Sequence, residues 1–142
     1  MPQGRFEYKQ LVKYPHLKPA DELTWGFFLT KYPQAYESVD YDLALGEMPE
    51  HAAEAEKLGI AGAEKLFMYK ADVIGYRIER IDIIEIKQKA TPSAIGQILL
   101  YKKIYDEEQK PTIPTRAVIV ARDTTPQVTE MCLEYNITLI IV

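Results

Sequence analysis

Cysteine is almost absent. Cys132 is the only one in 142 residues, which excludes an intramolecular disulfide and any multi-cysteine zinc or iron–sulfur site within the chain. It is expected to pack as a small apolar residue of the last helix. Histidine is nearly as scarce: His16 and His51 both read as surface residues rather than ligands. No apolar run approaches the roughly 18 residues that would announce a membrane span. The N-terminus lacks the apolar core of a signal peptide. A cytoplasmic, intracellular protein with no membrane partner is therefore expected. An excess of basic residues is also missing. The net charge of −4 argues against a broad basic surface for nucleic acid, although a divalent cation held by two carboxylates would leave the second half of the chain locally positive. Internal repeats and low-complexity tracts are not seen.

What is present is an ordinary globular composition, 47% hydrophobic and 27% charged, in a length that suits a single domain over 1–142. Residues 1–19 read as an irregular or short-strand lead-in. Pro19-Ala20-Asp21-Glu22 starts a helix, with Pro and acids in its first turn. Leu23, Phe27 and Phe28 share one face of it, Trp25 and Leu29 flank that face, and Pro33 stops it. Tyr36 to Leu45 suits a strand ending at Gly46. The stretch 47–65 is rich in helix formers and poor in apolar residues, as a surface helical insertion would be. Leu66 to Tyr69 leads into a strand carrying Asp72, and Glu79-Arg80 marks the reversal into the next. Thr91-Pro92-Ser93 opens a second core helix running to Glu108. Ala117 to Ala121 reads as a strand buried on both faces. Thr125-Pro126 begins a helix ended by Asn136, and Ile137 to Val142 reads as a closing buried strand. Hairpin-like pairs followed by helical crossovers imply a mixed central sheet flanked by helices.

The anomaly lies at 70–101, where Asp72, Glu85 and Lys87 interrupt strands that are otherwise apolar. Charged groups are rarely buried without a partner or a metal. Residues two apart project to one side of a strand, so Glu85 and Lys87 share a face. The reversal near Glu79 brings Asp72 close to position 86, within one residue, so two carboxylates and an ammonium converge. A hard cation such as Mg²⁺ suits two carboxylates and retains waters. A nearby Lys would orient such a water or neutralise a phosphate. The competing reading is a plain cross-strand ion pair between Lys87 and either acid.

Ten residues after Lys87 comes Gln97, followed at helical spacing by Tyr101 on the same face. Asp72, Glu85-x-Lys87 and Gln97-x-x-x-Tyr101 together resemble the PD-(D/E)XK nuclease superfamily, and within it the RecB-type branch. The resemblance covers about residues 20–122 and implies a restriction-endonuclease-like αβββαβ core. It also implies Asp72, Glu85 and the Ile86 main-chain carbonyl as metal ligands, Lys87 as the catalytic lysine, and Gln97 and Tyr101 as supporting or DNA-contacting residues. An acid on the first helix often completes such a site, with Glu22 the best placed, although helix-start stabilisation explains it equally well. Two departures stand out: Ala71 replaces the proline that precedes the first acid, and the upstream Gly-x3-His motif is missing.

The expected activity is Mg²⁺-dependent hydrolysis of DNA phosphodiesters, with Mn²⁺ as substitute, by in-line attack of a metal-activated water. It would be structure- or end-directed, in DNA processing, repair or recombination. A homo-oligomer or a larger nucleic-acid-processing complex stays open. The alternative is a non-catalytic DNA-binding or assembly module retaining the nuclease fold. Other features take plainer readings. Asp40, Asp42 and Glu47 read as an exposed strand edge rather than a metal cluster. Trp25, Phe27 and Phe28 read as core rather than a base-stacking platform. Lys102, Lys103, Arg116 and Arg122 read as solvated faces rather than phosphate contacts.

Overall fold

Each helix begins at a proline set in its first turn, and that chemistry sets the element boundaries. The computed structural model describes residues 3–46 and 69–142. Helix α1 spans Pro19–Lys31 and ends at Tyr32, just before Pro33. Helix α2 spans Pro92–Gln109, capped by the Thr91 side chain, which accepts from the Ala94 N–H. Helix α3 spans Pro126–Glu134, capped in the same way by Thr125. Lys110 and Asn136 close the last two helices in the left-handed region, at φ 45° and 57°, as C-terminal caps commonly do. The expected surface helix at 47–65, with Glu47 and His51, and the lead-in at 66–68 lie outside the described residues.

The strands are β1 Phe6–Glu7, β2 Ser38–Leu45, β3 Tyr69–Tyr76, β4 Ile81–Lys89, β5 Thr115–Asp123 and β6 Thr138–Ile141. They form one six-stranded sheet in sequence order. The first four strands pair antiparallel, and β4–β5 and β5–β6 pair parallel through α2 and α3. This is the expected mixed αβββαβ arrangement, with helices on both faces. Alternation along β4 splits the core: Ile81 and Ile83 pack with Ile95, Ile98, Val128 and Cys132 on the α2–α3 side. Ile84 and Ile86 pack with Trp25, Phe28 and Leu29 of α1 on the other. No helix among the described residues is long and apolar enough to cross a membrane.

Three local expectations change. The buried stripe of α1 is Trp25, Phe28 and Leu29, while Leu23 and Phe27 are exposed. Apolar residues at 23, 25, 27, 28 and 29 nearly encircle this helix, so periodicity alone did not choose between two faces, and the i, i+3, i+4 set won. Strand β6 is half-buried, because it is the sheet's last strand and has a partner on one side only. Asp40 is not at an exposed edge. It is buried and accepts from the Arg5 main-chain N–H at 2.9 Å, from the Arg5 guanidinium at 3.0 Å and from the Tyr76 hydroxyl at 2.7 Å. The short β1 covers that part of β2, and Arg5 lies just before it. Asp42 pairs with Lys70 at 3.4 Å and lies 3.8 Å from the exposed His16.

Candidate functional site

The central feature is a fork between β3 and β4. Their ladder runs from Tyr76↔Ile81 to Val73↔Ile84, and one residue further on the Asp72 side chain replaces the backbone: its Oδ2 accepts from the Ile86 N–H at 2.9 Å. The neighbouring strand prepares this break. Asp42 adopts φ +54°, a left-handed conformation that costs most residues about 1–2 kcal/mol and that Asp tolerates better. The register skips it, pairing Tyr41 with Val73 and Leu43 with Ala71. Ala71 and Val73 should share a face, yet they pack into opposite cores. The pleat is therefore interrupted at Asp72.

Glu85 lies on β4 beside this break and is buried. Its Oε1 is 3.5 Å from the Lys87 ammonium, whereas its Oε2 is buried without any hydrogen-bond partner. Burial pushes the Glu85 carboxyl far above its ordinary range, and the adjacent Asp72 carboxyl adds to the effect. Asp72 is also raised, first by burial; the Ile86 N–H pulls the other way. Two carboxyls so placed oppose each other's ionisation. An orphaned buried oxygen costs about 1–3 kcal/mol, so nothing in the fold alone rewards keeping Glu85 here.

The post-strand helix α2 contributes the second unusual atom. Gln97 Oε1 is the other buried, unpartnered side-chain atom among the described residues. Tyr101, one turn later, is buried and stands against Tyr69 with ring centroids 6.1 Å apart. Its hydroxyl is raised first by burial and then by the negative charges of Glu85 and Asp72. Both orphans in the described structure thus fall on residues singled out by the sequence pattern.

On the first helix, Glu22 turns away: its Oε2 accepts from the Tyr14 N–H at 2.9 Å. The first-helix acid whose charge acts on Asp72 is Asp21, which the sequence reading passed over. Its own carboxyl is raised by burial and lowered by Lys87 and Lys18, and its charge pushes Asp72 upward. The available signal was position: Asp21 lies in the same first turn, where the helix dipole favours either acid.

Asp82 was also passed over. It is fully buried on β4, three residues before Glu85 on the α1 side. Its Oδ1 accepts from Arg80 Nε at 2.8 Å and Arg116 Nε at 3.0 Å, while its Oδ2 accepts from Arg116 Nη2 at 2.7 Å and the Tyr36 hydroxyl at 2.6 Å. Arg116 is therefore engaged rather than simply solvated. Lys102 and Lys103 pair with Asp106 and Glu107 along α2, and Arg122 sits over the exposed Phe27 ring with 5.1 Å to its centroid.

Tested as a metal site, the donor set is lean. Among the described residues no group of three His, Cys, Asp or Glu side chains is arranged to hold an ion. The set on offer is two carboxylates, Asp72 and Glu85, with the main-chain carbonyl of Ile86 next after Glu85 in sequence. That suits a small hard cation which keeps several waters rather than an all-protein cage. The unpartnered Glu85 oxygen is the atom such a cation would satisfy.

No family model matches the chain, and no curated protein matches it significantly. Among solved structures the chain is similar to one described as the crystal structure of a repair endonuclease from Pyrococcus abyssi, at 16% identity and a TM-score of 0.52. The match covers 93% of this chain and 49% of that one, so this chain spans about half of that protein's length. The fold is shared with a nuclease.

Proposed function

We propose that the chain is a metal-dependent nuclease that hydrolyses DNA phosphodiester bonds, structure- or end-directed, in DNA repair or a related process. The observation that carries the reading is the Asp72–Glu85 pair at the strand fork, buried together with one Glu85 oxygen left unpartnered and Lys87 alongside. The fold shared with a repair endonuclease supports it, as does the PD-(D/E)XK, RecB-type pattern of residues.

Asp72 and Glu85 would hold Mg²⁺, or Mn²⁺ in its place, with the Ile86 carbonyl as a third donor. When bound, the ion supplies positive charge at the scissile phosphate and lowers the pKa of its water. The chain's own groups do the rest. The Ile86 N–H fixes one Asp72 oxygen, so that carboxylate is oriented before any ligand arrives. Lys87 balances Glu85 in the resting site, and in the complex it stabilises negative charge on the phosphate or orients the attacking water. Gln97 and Tyr101 line the same side and hold the sugar–phosphate backbone or the site itself. Asp21, rather than Glu22, is the first-helix acid nearest in electrostatic terms.

The test is a panel of linear, flapped and branched DNAs incubated with Mg²⁺ or Mn²⁺. Cleavage that disappears in Lys87→Ala is expected. No cleavage on any substrate with either ion would overturn the reading. A non-catalytic binding or assembly module gains one point of support, the absence of a third clustered ligand among the described residues. It requires unchanged DNA binding in Asp72→Ala and Glu85→Ala, and no Mg²⁺-induced rise in Tm.

A further inference from the structure

A cavity of about 470 Å³ lies between the C-terminal end of α1, the segment that follows it and the β3–β4 turn. Its walls include Phe28, Tyr32, Tyr36, Arg77, Arg80 and Arg116. From Arg80 to Glu85 is five residues of strand, roughly 16 Å at the usual rise. From Tyr32 back to Asp21 is eleven residues of helix, about 16 Å by that second ruler. The cavity is thus well separated from the acid pair and lies on the α1 side of the sheet.

Its charge is unbalanced. Asp82, the most deeply buried carboxylate among the described residues, is shared by two guanidiniums and the Tyr36 hydroxyl. One negative charge faces two positive ones, and each guanidinium carries more N–H groups than Asp82 accepts. The Arg80 and Arg116 side chains remain 28% and 31% exposed. Arg77 adds a third guanidinium, tied to the Ala35 carbonyl at 3.1 Å and to Glu79 at 2.8 Å. Asp82 therefore holds two planar donor forks rigidly, the preparation that phosphate recognition needs. Next to them stand aromatic rings: Phe28 and Tyr36 are near-parallel at 20°, and Tyr32 is 38% exposed. An accessible ring beside fixed guanidiniums accepts a base on its face and a phosphate at its edge.

We propose that this cavity binds a nucleotide, with its phosphate on Arg80 and Arg116 and its base against Tyr32. The ligand is either a free nucleoside monophosphate or the phosphorylated terminal nucleotide of a DNA strand. The bland competitor is a purely structural role, since Asp82 and Arg116 are register partners joining β4 to β5.

The test is calorimetric titration of the full chain in EDTA, so that binding is read without cleavage. The probes are dAMP, inorganic phosphate, deoxyadenosine, and a single strand carrying either a 5′-phosphate or a 5′-hydroxyl. Expected is tighter binding of dAMP than of phosphate or deoxyadenosine, weakened by about tenfold or more in Arg80→Ala, the loss of a charge-assisted hydrogen bond. Arg116 still pairs Asp82 in that variant. Should its melt nevertheless show it unfolded, Tyr32→Ala at the exposed rim carries the test, with dAMP falling to the affinity of phosphate. Preference for the 5′-phosphorylated strand, in competition with dAMP, identifies a strand end as the source; binding of dAMP alone identifies a free nucleotide. Equal binding of dAMP and deoxyadenosine, or affinity for dAMP unaltered in both variants, overturns the proposal. Lys87→Ala is expected to retain dAMP binding, so loss of the nuclease reading and loss of this one are separable.

Discussion

Asp82 and Glu85 stand three residues apart on one strand, both buried, and they differ in almost everything else. Asp82 has five donor contacts from three side chains. Glu85 has a single ammonium at 3.5 Å and an oxygen with no partner. The first is a charge the fold has fully compensated; the second is a charge it has left open. Burial alone does not separate a structural acid from a functional one, whereas the list of partners does.

Mutations at the two acids are expected to act in opposite senses. Asp82→Ala strands two partly buried guanidiniums, and breaking such a pair costs about 3–5 kcal/mol, to be read as a lowered urea midpoint. A loss under about 1 kcal/mol would remove the contrast. Gly75→Ala comes next. A Cβ there would lie 2.5 Å from the Tyr36 ring, so the ring that serves Asp82 must move, at about 1–3 kcal/mol. Tyr36→Ala combined with it should cost no more than Tyr36→Ala alone. Smaller and opposite in sign, Glu85→Gln should leave thermal stability unchanged or raise it by about 1 kcal/mol, since a neutral amide of the same shape replaces a carboxyl that burial and Asp72 keep from ionising. The same variant should lose any rise in Tm produced by Mg²⁺.

The pH dependence sharpens the same comparison. Burial raises the Tyr36 hydroxyl above its ordinary value, with Asp82 adding to the shift. Burial likewise pushes Tyr41 up to about 12. A folded pKa above the unfolded value of 10.0 means that the native state holds the proton longer. The stabilisation is complete below pH 10 and is lost as pH rises through the folded values. The tyrosine contribution to the unfolding midpoint should therefore be flat from neutrality to about pH 10 and fall beyond it, on top of the decline with rising pH that the raised Glu85 carboxyl imposes below that point. The tyrosinate absorbance contributed by Tyr36 and Tyr41, read as the difference from Tyr36→Phe and Tyr41→Phe, should rise together with unfolding, not before it.

The acid pair and the lysine were legible because strand periodicity and one short reversal suffice to bring 72, 85 and 87 together. Gln97 and Tyr101 were singled out by the resemblance, and helical spacing added only that they share a face. The fold class was legible from the order of capping signals and apolar runs. What stayed hidden depended on distant partners. Asp82 meets Tyr36 across 46 positions and Arg116 across 34, and no local pattern encodes those encounters. Asp40 was read as an edge for the same reason, as its cover comes from Arg5, 35 positions away. The choice between Asp21 and Glu22 turned on the rotation of α1, which its nearly all-round apolar content left open.

Among the described residues, each strand after β1 pairs with the strand before it in the chain. No pairing has to wait for a later segment to thread between two earlier ones, and each closure spans a single connection, whose entropic cost grows only slowly with length. The sheet can therefore be laid down in one direction as the polypeptide emerges. Asp72, Glu85 and Lys87 are in register once β4 has docked on β3, before β5 and β6 are added.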